Sequence, residues 1–257
     1  MTLAQQTYVP DDGFEGFLEA NGMGNGILYD DYVTTSNINT VTTLSVNNGG
    51  IWDLTGIEGF ILLNSLSCSS NHLTSLNVSN NTALTFLQCT SNYLTNLDVS
   101  NNTALTSLSC GDNQFTTIDV SGVTALTYLE CGENTLTSLD VSNNTALTTL
   151  YCNSNLLTSL DARNGNNTNF FGFSCILNPN LSCINVNDVA WSTVNWINFD
   201  PQHYFSNNCS GTGIQEHSTT KKLLKVTGLL GRETKGTNQP LFYIYDDGTV
   251  EKKIIIE

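Results

Sequence analysis

Apolar and polar positions recur along this chain with a period of 21 residues. Five successive blocks share the frame L-x-C-x-x-N-x-[LF]-T-x-[LI]; they begin at Leu66, Leu87, Leu108, Leu129 and Leu150. At the start of each block the odd positions are apolar and the even positions vary, which is the alternation of a strand with one buried face. The pattern predicts one short strand per block, stacked in parallel on the strand of the next block.

A fixed period in this range, with an apolar and asparagine frame, is the signature of a leucine-rich-repeat solenoid. Successive coils stack about 4.8 Å apart, which builds a parallel β-sheet on the concave face. The rest of each coil, such as 98–103, lacks helical periodicity, so we expect an irregular convex side made of turns. The predicted fold class is therefore a leucine-rich-repeat solenoid, α/β by class and mainly β in this chain.

Two kinds of recurring residue are expected to fill the inside of each coil. In one coil the apolar set is Leu87, Cys89, Leu94, Leu97, Val99 and Leu105. An asparagine recurs three residues after each cysteine of the frame, at Asn71, Asn92, Asn113, Asn134 and Asn155. We expect these amides to lie inside and to bond backbone groups where each strand turns away.

Both ends of the chain depart from the repeat. Acidic residues at 11–12, followed by Phe14, Phe17 and Leu18 at helical spacing, predict a short helix that caps the first open edge of the solenoid. Near the other end, two alternating runs at 241–245 and 250–256 flank the hairpin signal Asp246-Asp-Gly248. These runs predict a small, separate β unit.

The chain therefore divides into six predicted segments. They are a signal-peptide remnant at 1–6, an N-terminal cap at 7–43, leucine-rich repeats at 44–186, an aromatic C-terminal cap at 187–209, a linker at 210–220 and a C-terminal domain at 221–257. The remnant is expected because a small-residue cleavage site precedes Gln5 or Gln6 without the rest of a signal. No run of 18 apolar residues occurs, so no transmembrane segment is expected.

The chain contains 8 cysteines. Six follow the repeat as an inward column, where a small apolar side chain packs well. Their side chains run parallel about 4.8 Å apart, a spacing that does not favour disulfides, and they do not converge on one point as zinc ligands do. Cys183 and Cys209 lie outside this column and bracket the C-terminal cap. We expect a disulfide between them, with two free thiols as the alternative.

Charge is distributed unevenly. Residues 1–220 carry 18 acidic side chains and a single basic one, Arg163, for a net charge of −17, whereas the tail carries 7 basic and 5 acidic side chains, for +2. A body this acidic repels phosphate backbones, so we expect no nucleic-acid partner, although the charge also serves plain solubility.

Catalytic and metal-binding patterns are missing from the sequence. The histidines, His72, His203 and His217, are not spaced with a nucleophile and a carboxylate. The acidic pairs at 11–12 and 30–31 lack the alternating order of a calcium loop. Asn-Asn-Thr triplets such as 101–103 match a glycosylation acceptor, but are more simply turn residues. We therefore expect no enzyme activity, no metal and no cofactor.

The outward strand positions vary while the frame does not, as expected for a binding scaffold with a tuned surface. We expect a ligand site on the concave face, formed by Phe86, Gln88, Asp112, Tyr128, Glu130, Glu133 and Tyr151. Tyrosine and phenylalanine are rigid and typical of binding hot spots. Drift at positions that packing does not constrain would produce the same variation.

Residues 7–209 resemble the leucine-rich-repeat proteins exported by Bacteroidetes, and the first coil resembles internalin-like repeats. The resemblance rests on Tyr8-Val-Pro-Asp-Asp12, on the repeat L-x-C-x-x-N-x-L-T-x-L-D-V-S-N-N-T-A-L-T, and on Asn180-Leu-Ser-Cys-Ile184. The tail, from Lys221-Lys-Leu-Leu-Lys-Val226 to Gly248-Thr-Val-Glu-Lys-Lys-Ile254, resembles a C-terminal sorting domain. That resemblance implies export by the type IX secretion machinery, to the medium or the outer cell surface.

These observations together predict a secreted or cell-surface recognition protein that is not an enzyme. Its solenoid would bind a protein or polysaccharide ligand through the concave face. The alternative is a structural spacer or adhesin-like stalk without a single specific ligand.

Overall fold

The computed structural model describes residues 4–209, 223–227, 240–245 and 250–254. The chain separates into two compact units, Met1–Cys209 and Ser210–Glu257. The first unit is a stack of coils and the second contains a small sheet.

Short strands dominate both units. In chain order the elements are β1 (Gln6–Tyr8), α1 (Asp12–Ala20), β2 (Tyr32–Thr34), α2 (Thr35–Ile38), β3 (Thr43–Ser45), β4 (Ser65–Ser67), β5 (Phe86–Gln88), β6 (Ser107–Ser109), β7 (Tyr128–Glu130), β8 (Ser138–Asp140), β9 (Thr149–Tyr151), β10 (Ser159–Asp161), β11 (Gly172–Ser174), β12 (Cys183–Asn185), α3 (Val189–Asn195), β13 (Tyr204–Ser206), β14 (Leu223–Thr227), β15 (Pro240–Tyr245) and β16 (Val250–Ile254). Single 3₁₀ turns occur at Ile57–Gly59 and Asn167–Asn169.

The predicted parallel sheet is present, and we call it the long sheet. Its seven strands are ordered β3, β4, β5, β6, β7, β9, β11, so each coil adds one strand beside the last. The register pairs equivalent residues, for example Leu87 with Leu108 and Leu108 with Leu129. From β4 to β9 strand registry therefore follows the 21-residue period, because a slip of one residue in the pairing would turn the leucines outward.

The inside of the stack is apolar and closely packed. The leucine column of the long sheet and the cysteine column beside it are fully buried from coil to coil. The six cysteines of this column, Cys68, Cys89, Cys110, Cys131, Cys152 and Cys175, are free thiols. Burial raises the pKa of Cys68 to about 12, so the column behaves as small apolar filling rather than as reactive chemistry.

The frame asparagines connect successive coils. The Asn92 amide nitrogen donates to the carbonyls of Cys68, 3.1 Å away, and Cys89, 3.0 Å away, and its side-chain oxygen accepts from the Leu73 N–H at 3.1 Å. Four of the five predicted asparagines are buried and Asn113 is half-buried. Each of them serves backbone groups that the strand ends would leave unpaired.

A second asparagine column lies in the Asn-Asn-Thr triplets, where we expected only turns. Asn102 is fully buried, and its amide donates to the carbonyls of Val78 at 3.1 Å and Asn81 at 2.9 Å. Asn81 and Asn144 are placed in the same way. In the intervening coil a buried Val123 occupies this position, so one coil replaces the amide with apolar packing.

The outer side of the stack is more regular than predicted. A four-stranded parallel sheet, ordered β8, β10, β12, β13, begins half a coil after the long sheet. We call it the short sheet. The irregular convex side that we expected is found in the earlier coils, where the segment equivalent to β8 is not a strand. β8 and β10 both have the sequence Ser-Leu-Asp, and the equivalent stretches that are not strands differ from it by one residue at Ser75-Leu-Asn77 and at Asn96-Leu-Asp98. Local sequence therefore does not separate the two cases.

The N-terminal cap contains the predicted helix. The side chain of Asp11 accepts from the Phe14 N–H at 2.9 Å, which caps α1, and its other oxygen accepts from the N–H groups of Trp52 and Asp53 in the first coil. Phe14 and Leu18 are fully buried on the helix face toward the core. One carboxylate therefore both starts the helix and attaches it to the solenoid.

The far end is closed by α3 and an aromatic cluster. The buried Trp196 ring stacks on Phe173 of β11 at 3.9 Å between centroids and meets Phe205 of β13 at 5.6 Å. The expected disulfide joins Cys183 to Cys209, with 5.7 Å between their Cα atoms. It pins the segment after β13 to the start of β12.

The second unit contains β14, β15 and β16 in one antiparallel sheet. The two predicted strands of the tail lie in β15 and β16, while the predicted turn at Asp246–Gly248 falls outside the described residues. Among the helices that the structure describes, none has the length and apolar character to cross a membrane.

We expect Asn92→Ala to destabilise the first unit by about 1–3 kcal/mol, because it leaves the buried Leu73 N–H without its acceptor and removes one of the two asparagine donors to each of the Cys68 and Cys89 carbonyls. Asn96→Ala, at an exposed position of the same coil, is the matched control and should change stability by much less. Urea denaturation of the two variants measures the difference. Equal stabilities would contradict the bridging role of the asparagine column.

Candidate functional site

The outward residues of the long sheet form one continuous face. On each strand the central residue is buried and its two neighbours point away from the core; those of β4, β5, β6 and β7 are all half-buried. On β9 the pattern differs, because Thr149 is buried and Tyr151 is half-buried. The face can therefore present side chains to a ligand at every coil, but Thr149 is covered.

Two tyrosines meet on this face. The rings of Tyr128 on β7 and Tyr151 on β9 lie 6.0 Å apart, edge to face at 82°. Gly172, on the next strand, makes room for them, because a β-carbon there would lie 2.7 Å from the Tyr151 hydroxyl oxygen. This is a favourable aromatic geometry that leaves both rings partly open to solvent.

A carboxylate lies beside this pair. Glu130 follows Tyr128 by two residues on the same strand face and is the register partner of Tyr151. Its oxygens accept from the Gly111 N–H at 3.2 Å and the Gly132 N–H at 3.1 Å. A β-carbon at position 111 would lie only 2.1 Å from the Glu130 carboxylate. The Glu130 side chain therefore occupies space that is available only because residue 111 is glycine.

Two more carboxylates flank Glu130. Asp112 and Glu133 are exposed and have left-handed backbone conformations, with φ of 49° and 53°. Serine occupies the same position in other coils, at Ser70, Ser91 and Ser154. The coils around Glu130 thus change from C-[ST]-S-N or C-N-S-N to C-G-[DE]-N, placing glycine and acid together.

We refer to Tyr128, Tyr151, Glu130, Asp112 and Glu133 as the acidic tyrosine patch. Burial raises the pKa of Glu130, and the charges of Glu133 and Asp112 raise it further, against the lowering effect of the two glycine N–H groups. Burial and the nearby Glu130 likewise raise the pKa of Tyr128. The patch holds negative charge that nothing in it neutralises.

The other two predicted residues lie apart from this patch. Phe86 on β5 is two strands from Tyr128, with Ser107 between them in register. Gln88 accepts a hydrogen bond from the Ser67 hydroxyl at 3.0 Å, so its side chain is directed toward the preceding coil. The predicted site therefore consists of a compact group of five residues and two outlying ones.

A cleft that the sequence did not indicate borders the patch, lined by aromatic and aliphatic side chains together with Asn195 and Asn198. Its volume is about 240 Å³, and its lining includes Tyr151, Phe171, Trp196 and Ile197. Phe171 is 84% exposed and Ile197 is 80% exposed. The positions of these two side chains depend on how the C-terminal cap folds against the last coil. The departure from the repeat at Phe170-Phe171 is the sequence feature that coincides with the cleft.

A second row of exposed aromatic rings lies elsewhere on the first coils. The His72 ring stacks between Trp52, at 4.5 Å, and Tyr93, at 6.0 Å. Trp52 is 63% exposed. We call these three residues the aromatic row, and none of them was among the predicted site residues.

Cys175, His203 and Asp200 are the nearest approach to a catalytic triad among the described residues. The Cys175 sulfur lies 3.6 Å from His203 Nδ1, and Asp200 lies 3.5 Å from His203 Nε2. Nδ1 already accepts from the Asp200 N–H, while Nε2 lies 3.2 Å from the Asn178 carbonyl. Burial also raises the pKa of the Cys175 thiol, so this enclosed group suits structure better than nucleophilic chemistry.

One group of described carboxylates has the spacing of metal ligands. Oxygens of Asp12, Glu15 and Asp31 lie within 4.8 Å of one another. Glu15 is fully buried and accepts from the N–H groups of Asp30 and Asp31, both at 3.2 Å. Its oxygens thus serve the loop before β2, and we assign no metal to this group.

Known proteins share this architecture. No protein-family model matches the chain, and no curated protein matches it. Among solved structures, the functional domain of InlJ from Listeria monocytogenes, which includes a cysteine ladder, is 34% identical over 80% of this chain, with a TM-score of 0.64. The internalin InlF from Listeria monocytogenes is 20% identical over 77% of this chain and 68% of its own, with a TM-score of 0.53.

These likenesses confirm the predicted leucine-rich-repeat fold, of internalin-like type. The match covers 49% of the InlJ functional-domain structure, so this chain spans about half the length of that domain. The buried cysteine column described above corresponds in kind to the ladder of InlJ. The InlF match, at its lower identity, adds support for the fold alone.

Because burial raises the pKa of Glu130, protonation of this side chain adds stability to the fold that its ionised form lacks. That contribution is complete below its ordinary pKa of 4.5 and is lost as the pH rises through the higher pKa of the folded state. We expect the free energy of unfolding of the wild type, minus that of Glu130→Gln, to fall from pH 4.5 towards neutrality. Urea denaturation at a series of pH values measures it.

Asp98→Asn provides the control for this pH series. Hydrogen bonds from Ser100 lower the pKa of Asp98 below 3.8, so its stabilising contribution is lost only at lower pH. The corresponding difference for Asp98→Asn should stay flat over the same range. A flat profile for Glu130→Gln as well would show that Glu130 is not desolvated.

Proposed function

We propose that this protein is a secreted or cell-surface recognition module, without enzyme activity, that binds a protein ligand through the concave face of its long sheet. The proposal rests chiefly on the acidic tyrosine patch. Its side chains occupy columns where serine suffices in other coils, so packing does not require tyrosine or glutamate there. Residues that the fold does not need, gathered in one place, favour a binding role.

The adjoining cleft favours a protein over a polysaccharide as the ligand. Exposed Phe171 and Ile197 beside half-buried tyrosines offer an apolar anchor site next to charge, as in the centre of many protein interfaces. Polysaccharide binding remains the second candidate for this face. The alternative of a plain spacer or stalk has no use for either feature.

Export is the second part of the proposal. The tail at 221–257 resembles a sorting domain, and we infer that it passes the protein to the type IX secretion machinery of a Bacteroidetes cell. The Cys183–Cys209 disulfide supports an oxidising location. The sheet of β14, β15 and β16 is compatible with a separately folded signal.

A variant that carries Phe86→Ser, Tyr128→Ser and Tyr151→Ser tests the ligand-binding face. Serine is native to the same columns at Ser65, Ser107 and Ser109, so the fold should be retained. In a screen of the full chain against cell-surface proteins and polysaccharides, we expect the variant to lose at least about tenfold in affinity for the wild-type ligand.

The matched control is Trp52→Ser with Tyr93→Ser in the aromatic row, which should leave that binding unchanged. Loss of binding in the control variant, with binding retained in the triple variant, would place the site at the aromatic row. Absence of any wild-type ligand in the screen would favour the spacer.

A chain that ends at residue 220 tests the export proposal. Behind a signal peptide, in a bacterium with type IX secretion, the full chain should reach the surface or the medium, and the shortened chain should stay in the periplasm. Cell fractionation and immunoblotting measure the distribution. Equal export of both chains would contradict a sorting role for the tail.

A further inference from the structure

We propose that the acidic tyrosine patch receives an arginine side chain of the protein partner, with Glu130 as the group that binds it. This inference rests on the proposed function of the concave face and names the chemistry of its ligand. The occupant is a protein segment that presents arginine to the sheet face formed by β7 and β9.

Charge complementarity favours a cationic partner at the patch. Asp112, Glu130 and Glu133 put three carboxylates on two adjacent coils. The one arginine or lysine before residue 221 is Arg163, and its guanidinium is paired with Asp161 at the end of β10 in the short sheet. The solenoid therefore has no cation of its own to offer the patch, and a cationic partner would relieve the repulsion among the three acids.

The Glu130 carboxylate is held in a fixed orientation by backbone groups. The Gly111 and Gly132 N–H groups hold its two oxygens, one bond to each. A carboxylate oxygen accepts more than one hydrogen bond, so both keep acceptor capacity. A carboxylate fixed in this way is prepared for the two parallel donors of a guanidinium, because little side-chain freedom is lost on binding.

The two tyrosine rings favour arginine over lysine as the bound side chain. Tyr128 precedes Glu130 on the same strand face, and Tyr151 is its register neighbour, so a cation bound at Glu130 lies beside aromatic rings. Arginine stacks on such rings while it binds a carboxylate, whereas the compact ammonium of lysine is more strongly hydrated. We therefore assign arginine in preference to lysine.

Two other occupants fit less well. A second copy of the solenoid brings a body with a net charge of −17 over residues 1–220, which the patch repels. The chain's own tail is basic, with Lys221, Lys222 and Lys225 near its start. Most of its basic residues are lysines rather than arginines, and the experiment below separates it from an external partner.

The test measures binding of the full chain to three synthetic peptides of eight residues, in which glycine alternates with arginine, lysine or citrulline. Citrulline keeps the shape of arginine and removes its charge. At low ionic strength we expect the arginine peptide to bind best, the lysine peptide several-fold more weakly and the citrulline peptide not measurably. Fluorescence anisotropy with a labelled peptide gives the dissociation constants.

Substitutions copied from other coils identify the site. Glu130→Gln introduces the residue that Gln88 already provides in the same column. It should weaken binding of the arginine peptide by about tenfold or more. The side chains of Asp112 and Glu133 take no part in the hydrogen bonds of Glu130, so the double variant Asp112→Ser with Glu133→Ser should weaken binding of the arginine peptide several-fold. This variant tests the site if Glu130→Gln folds poorly. The control is Asp98→Asn, which removes one charge where Asn77 already fills the equivalent position, and it should change binding less than twofold.

Other outcomes overturn the inference. Equal losses for Glu130→Gln and Asp98→Asn would mean attraction to overall charge alone. Equal binding of the arginine and lysine peptides would remove the assignment to arginine. Binding that appears only after Lys221, Lys222 and Lys225 are changed to glutamine would make the tail the occupant.

The proposed function fails separately from this inference. A surface-protein ligand that is lost in the Phe86, Tyr128 and Tyr151 variant but is indifferent to Glu130→Gln would leave the recognition face intact and disprove the arginine site.

Discussion

Each coil must pair the backbone groups that it buries where its strand ends, and the rest of the structure depends on that requirement. Without convex helices, the early coils have no regular partner for these groups. The amide of Asn92 solves the problem by bonding carbonyls of its own coil and of the coil before it. Because one side chain bridges two coils, their spacing and register are fixed together, and the coils from β4 to β9 keep the same length.

That requirement divides the sequence into two classes of position. Leucine, cysteine and asparagine columns recur because they fill or pair the interior, and they carry no information about a ligand. The positions between them are free to differ, so a departure there is informative. Glu130 is the clearest example, because the glycine at 111 leaves space for its carboxylate and the N–H groups of the glycines at 111 and 132 donate to it. The change to glutamate at position 130 is thus accompanied by changes in its structural neighbours.

Most of the fold could be predicted from the sequence because the repeat makes local and long-range signals agree. The strand at Leu87, its register with Leu108 and the burial of Asn92 all follow from the period. The short sheet could not be predicted, because Ser138–Asp140 forms a strand whereas the closely similar Asn96-Leu-Asp98 does not. Pairing with neighbouring coils and the cap decides that case, and local propensity does not.

The candidate site was predicted less completely than the fold. Alternation along the strands identified Tyr128, Glu130 and Tyr151 as outward, but it did not foresee that Thr149 is covered. The cleft at Phe171 and Ile197 depends on the path of the cap after the last coil, where the period ends. The burial of Asn102 was hidden by its resemblance to an ordinary turn residue, since the same amide chemistry serves both roles.

The disulfide between Cys183 and Cys209 gives this stack a preferred direction of unravelling. A coil within the stack contacts only its two neighbours, so loss of structure begins at an end, where one neighbour is missing. The C-terminal end is held covalently, whereas no cysteine precedes Cys68 and the N-terminal end relies on packing and on bonds such as those of Asp11. Fraying that starts at the N-terminal cap must therefore pass β3, β4, β5 and β6 before it reaches the patch on β7 and β9, for as long as the environment stays oxidising.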